Sequence, residues 1–72
     1  MRRELLINKL RELGYTFRRD AWRVAFWRRA RDAHEVAVMK RGDLEDEYVR
    51  SVLGQCGCKK AEIDQFLRLA KA

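Results

Sequence analysis

The apolar residues of this chain change period twice along 72 residues, and that switch limits the fold more than any other feature. From Arg2 to Leu13, Leu6, Leu10 and Leu13 recur at helical spacing with Ile7 beside them, while Glu4, Lys9, Arg11 and Glu12 fall elsewhere on the wheel. The spacing predicts an amphipathic helix. Gly14, free to take the left-handed backbone conformation, is placed to stop it. From Tyr15 the period falls to two: Tyr15, Phe17 and Arg19 alternate with Thr16 and Arg18, and Trp22, Val24 and Phe26 alternate with Arg23, Ala25 and Trp27. Two strands with a tight turn near Asp20 are expected, then a second turn over Ala30 to Ala33 and a third strand over Glu35 to Met39.

The helical period then returns. Asp43 is the expected N-cap of a helix whose first turn carries Glu45, Asp46 and Glu47, where the macrodipole favours negative charge. Tyr48, Val49, Val52 and Leu53 form its apolar face, and it should end between Gly54 and Gly57. A last amphipathic helix from about Lys60 turns Ile63, Phe66, Leu67 and Ala70 inward. The chain lacks proline, linker and repeat, and its length supplies one core, so residues 1–72 read as a single domain. The expected architecture is a two-layer α+β fold, helix, three-stranded antiparallel sheet, then two helices.

No apolar run approaches the roughly 20 residues that cross a bilayer. Glu4, Lys9 and Arg11 also interrupt any signal-like segment, so the sequence reads as cytoplasmic, with no membrane contact. Cys56 and Cys58, one residue apart, are too few for a disulfide framework, which suits a reducing compartment. They also fall short of a zinc site, since only His34 is left to add a ligand. No metal or cofactor is expected, and the cysteines read as small apolar residues around a helix-ending glycine.

Charge is the strongest compositional signal. Seventeen Lys and Arg against 11 Asp and Glu give a net +6, and Arg18, Arg19, Arg23, Arg28, Arg29 and Arg31 crowd the strand region with Asp20 as the one acid between Arg18 and Arg31. Guanidinium forks suit bidentate phosphate contacts, so an anionic partner is favoured, nucleic acid first and an acidic protein second. Trp22, Val24 and Phe26 share one strand face and Arg23, Ala25 and Trp27 the other. If helices cover the Trp22 face, Trp27 stands among arginines on the open face as a stacking platform for an unpaired base. A shift of the alternation by one residue exchanges the two tryptophans.

The stretch Gly42-Asp43-Leu44, Tyr48 to Leu53, Gln55-Cys56-Gly57 and Glu62 to Phe66 resembles the helix, glycine turn and closing helix of the HicA family of small toxins. Leu10 to Tyr15 is similar to that family's end of the first helix. The resemblance covers nearly the whole chain. It implies a fold like the double-stranded-RNA-binding domain and an activity against messenger RNA, restrained by an antitoxin of the HicB type. One place departs from the family: where a histidine follows a small-residue turn, this chain reads Asp20-Ala21-Trp22-Arg23, so no catalytic residue carries over.

Metal-free RNA cleavage needs a base for the 2′-hydroxyl and an acid for the leaving oxygen, and histidine serves both roles. His34 is the one histidine, at a turn, and arginine cannot act as the base. The expectation is RNA binding, with the six arginines as phosphate contacts, Trp27 as the stacking platform and ribonuclease activity left open. The alternative is a non-catalytic module that docks an acidic antitoxin-like protein or pairs with itself as a homodimer.

Overall fold

The computed structural model describes residues 1–71, and its elements follow the expected order: α1 (Arg3–Glu12), β1 (Tyr15–Asp20), β2 (Val24–Arg29), β3 (His34–Met39), α2 (Asp46–Gln55) and α3 (Lys60–Ala70). The strands form one antiparallel sheet in the order β1-β2-β3. Leu6 and Leu10 of α1, Val52 and Leu53 of α2 and Ile63 and Leu67 of α3 are buried in one core with Trp27, Val36 and Val38 of the sheet. All three helices therefore seal the same sheet face. Among the described residues the opposite face carries no helix.

Both glycine stops act as expected. Gly14 (φ +94°) ends α1, and Gly57 (φ +90°) ends α2 through hydrogen bonds from Gly57 N–H to the Gly54 carbonyl and from Cys58 N–H to the Leu53 carbonyl. The start of α2 differs from the sequence reading. Asp43 does not cap it: Glu45 stands at the N-cap, while Asp43 bridges to Arg2 and lies 3.5 Å from the Met1 ammonium. That bridge ties the segment before α2 to the start of α1.

The face that the helices cover is the second difference. Ala21–Arg23 form the turn and β2 begins only at Val24, so Trp22 is not on a strand. Within β2, Ala25, Trp27 and Arg29 are buried beneath the helices and Val24, Phe26 and Arg28 face away, the reverse of the expected covered face. Across the sheet Phe17 pairs with Trp27, whereas Arg19 pairs with Phe26, which leaves Arg18 as the extra residue of a β-bulge. On the far edge the Tyr48 hydroxyl of α2 accepts from Met39 N–H at 3.0 Å and donates to the Ala37 carbonyl at 3.2 Å, so β3 is capped by a side chain.

Candidate nucleic-acid interface

The uncovered sheet face is built from cross-strand rows. Thr16, Arg28 and Glu35 form one row, Arg19, Phe26 and Ala37 the next, and Val24 and Met39 the last. The β1–β2 turn then brings Trp22 and Arg23 to the Val24 end. Trp22 is 84% exposed, the largest exposure among the exposed large apolar side chains. Its indole carries the Arg23 guanidinium at 4.3 Å from the ring centre, and Arg19 lies 4.1 Å over the Phe26 ring. Each is a cation–π contact that holds an arginine flat on an aromatic surface while its N–H edge stays outward. With Arg23 on one side of Trp22, the other side is left for a flat ring. Trp22, Arg23, Val24, Met39, Lys40 and Arg41 line one shallow depression of about 340 Å³.

Charge at this end is mostly unspent. Lys40 pairs with Asp20 at 3.2 Å, whereas Arg18, Arg19, Arg23 and Arg41 are exposed and make no ion pair among the described residues. Arg28 is half-buried on the same open face, two residues along β2 from Phe26. Arg31 is exposed in the β2–β3 turn, at the other end of the sheet from Trp22.

Two expected site residues are not available. Trp27 is 5% exposed, packed edge-on against Phe17 and covered by Arg11, so it cannot receive a base on its face. The alternation along β2 is the expected one, but the helices cover the Ala25–Trp27–Arg29 face, which continues across the sheet into buried Val36 and Val38 of β3 and Tyr15 of β1. Trp22 holds the exposed position in its place. Arg29 is 8% exposed and works inside the protein. Its guanidinium grips the Asp32 carboxylate with two hydrogen bonds of 3.0 and 2.9 Å and donates to the Cys56 carbonyl at 3.0 Å. The last turn of α2 has no basic residue, so Arg29 also brings positive charge to the negative end of that helix.

His34 belongs to this same interior network. Its Nδ1 is 2.6 Å from the Tyr15 hydroxyl, its backbone N–H donates to Asp32, and its partner across the sheet is Arg29. Burial pushes the Tyr15 phenol upward, so it remains a neutral hydroxyl. The two-pronged Arg29 contact holds the Asp32 carboxyl down at about 2. Histidine and tyrosine thus lie on the helix-covered side of the sheet, away from Trp22, and the proton acceptor of the open-face rows, Glu35, stands at the Arg28 end rather than beside Trp22. Burial likewise raises the Cys56 and Cys58 thiols, which keeps them protonated and weakly reactive.

Among the described residues no three His, Cys, Asp or Glu side chains gather as a metal site, and no helix is long and apolar enough to cross a membrane. Compared with known proteins, the chain matches no family model, no curated protein and no solved structure.

Proposed function

We propose that this protein binds single-stranded RNA on the open sheet face, as a non-cleaving variant of the HicA-like toxin type. The observation that carries the proposal is Trp22, a nearly fully exposed indole with an arginine on one face, set among exposed arginines that make no ion pair among the described residues. An unpaired base stacks on the free side of the indole, while Arg18, Arg19, Arg23, Arg28 and Arg41 take phosphates and Arg31 a more distant one. The α1–glycine stop and the α2–glycine turn–α3 unit, which carry the resemblance to HicA toxins, fold as helices and turns, and this supports the family reading. Trp22 and Arg23 stand where that family has its histidine, so the reading is binding without proton transfer.

The apolar residues Val24, Phe26 and Met39 on the same face also suit an acidic antitoxin-like protein, which makes that partner the competing outcome. Purification from cells separates the two. The proposal expects fluorescence anisotropy of labelled single-stranded RNA to saturate with purified protein and intact RNA to be recovered afterwards. Co-purification of a stoichiometric acidic protein, with no nucleic-acid absorbance and no anisotropy change on adding RNA, would overturn it.

A further inference from the structure

A second basic concavity lies on the other side of the Lys40 end of the sheet. It is an open cleft of about 720 Å³ between α1 and the sheet, lined by Arg2, Arg3, Asn8, Arg11, Trp27 and Lys40 among others. Glu4, the one carboxylate of its wall, is engaged by Arg2 at 2.7 Å. Arg3 spends its Nε on the Met39 carbonyl at 2.7 Å, which fixes the side chain and leaves its terminal nitrogens for another acceptor. Arg11 makes no ion pair among the described residues and lies 5.4 Å over the Trp27 ring.

Trp27 supplies an independent sign of a missing ligand. Its residue is 95% buried by difference from 5% exposure, and its indole Nε1 has no hydrogen-bond partner among the described residues. Indole nitrogen is a donor only, and a buried donor without an acceptor carries a free-energy cost that proteins seldom leave in place. The neighbouring cleft side chains are mostly donors themselves. The start of α1 also borders the cleft, but its Arg3 N–H is taken by the Gly42 carbonyl at 2.9 Å and Glu4 sits in its first turn, so the positive charge of the cleft is that of its side chains.

We propose that this cleft is a phosphate site, with Arg3 and Arg11 as charged donors, Lys40 adding the N–H groups that its 3.2 Å pair with Asp20 leaves over, and the Trp27 N–H as the buried donor. Arg11 is an exposed, long side chain over the Trp27 ring, free to swing from the indole onto an anion in the cleft. Lys40 lines both this cleft and the depression beside Trp22, so a strand on the open face can round the sheet end at Lys40 and place a phosphate here. That route rests on the RNA-binding reading, whereas a free phosphate monoester reaches the cleft without it.

The test follows the two indole N–H resonances by ¹H–¹⁵N NMR of the full chain, with Trp22→Phe used to assign them. Inorganic phosphate and a short single-stranded oligouridylate are titrated separately. A saturable shift of the Trp27 resonance with inorganic phosphate identifies a site for free phosphate groups, and a shift with RNA alone identifies a strand phosphodiester. In either case Arg11→Gln weakens the response roughly tenfold, the loss of one charge-assisted hydrogen bond. A Trp27 resonance that stays fixed in both titrations overturns the proposal, even when Trp22 moves with RNA. In the RNA titration, a fixed Trp22 with a moving Trp27 overturns the open-face reading instead.

Discussion

Exchanging the roles of the two tryptophans gives a pair of variants with opposite signatures. Trp22 is 84% exposed and its recorded close contact is with a neighbouring arginine, so Trp22→Ala removes almost no packing and should change stability by no more than about 0.5 kcal/mol. The same change removes a base-stacking surface, which is worth about 1–3 kcal/mol, or roughly five- to 150-fold in Kd. Trp27 is 5% exposed and central to the core, so Trp27→Ala should cost about 3–5 kcal/mol. A chain of this length has roughly 4–11 kcal/mol in total, and that variant should be partly unfolded at physiological temperature. Thermal unfolding by circular dichroism and anisotropy with labelled single-stranded RNA at fixed salt measure the two quantities separately. An unchanged Kd for a fully folded Trp22→Ala would refute the reasoning, because no other exposed aromatic stands beside Arg23.

Arg29→Gln should lower Tm, since it releases Asp32 and strips a donor from the Cys56 carbonyl, while the salt dependence of RNA binding stays at its wild-type slope at temperatures where the variant is folded. Asp32 is held below its unfolded value of about 3.9, so its stabilising contribution is complete at neutral pH and is lost as pH falls through about 2. Asp32→Asn should remove that part of the acid limb in a pH series of Tm values. Tyr15→Phe deletes the hydroxyl that meets His34 and should cost about 1 kcal/mol, a Tm decrease of about 4–8 °C, with RNA affinity within twofold of wild type.

Element order was legible because it rests on long periodic signals and two glycines whose positive φ no other residue adopts as readily. The alternation along β2 was legible as well, but not which of its two faces the helices cover. Val24 and Phe26 share one face and Ala25 and Trp27 the other, as the spacing predicts, but each face carries a large aromatic ring, and only the buried partners Tyr15, Val36 and Val38 across the sheet mark the Trp27 face as the covered one. Arg29 was misassigned for a related reason: a run of arginines carries no mark of which member is turned inward. Asp32, three residues on and across a turn, was the one available signal of an internal ion pair. Asp43 looked like a cap by residue type, yet the bridge to Arg2 that occupies it joins positions 41 residues apart, beyond any local rule. Lys40, Arg41 and the α1 arginines entered the site only through the fold, which brings them beside the turn that carries Trp22 or around the sheet end from it.

The salt dependence of RNA affinity measures the unspent charge of the open face most directly. For single strands each neutralised phosphate contributes about −0.7 to the slope of log Kobs against log salt, so engagement of Arg18, Arg19, Arg23, Arg28 and Arg41 gives a slope near −3.5, and Arg23→Gln makes it about 0.7 less steep. A slope near zero, or one that Arg23→Gln leaves unaltered, would contradict the assignment of these arginines to phosphate.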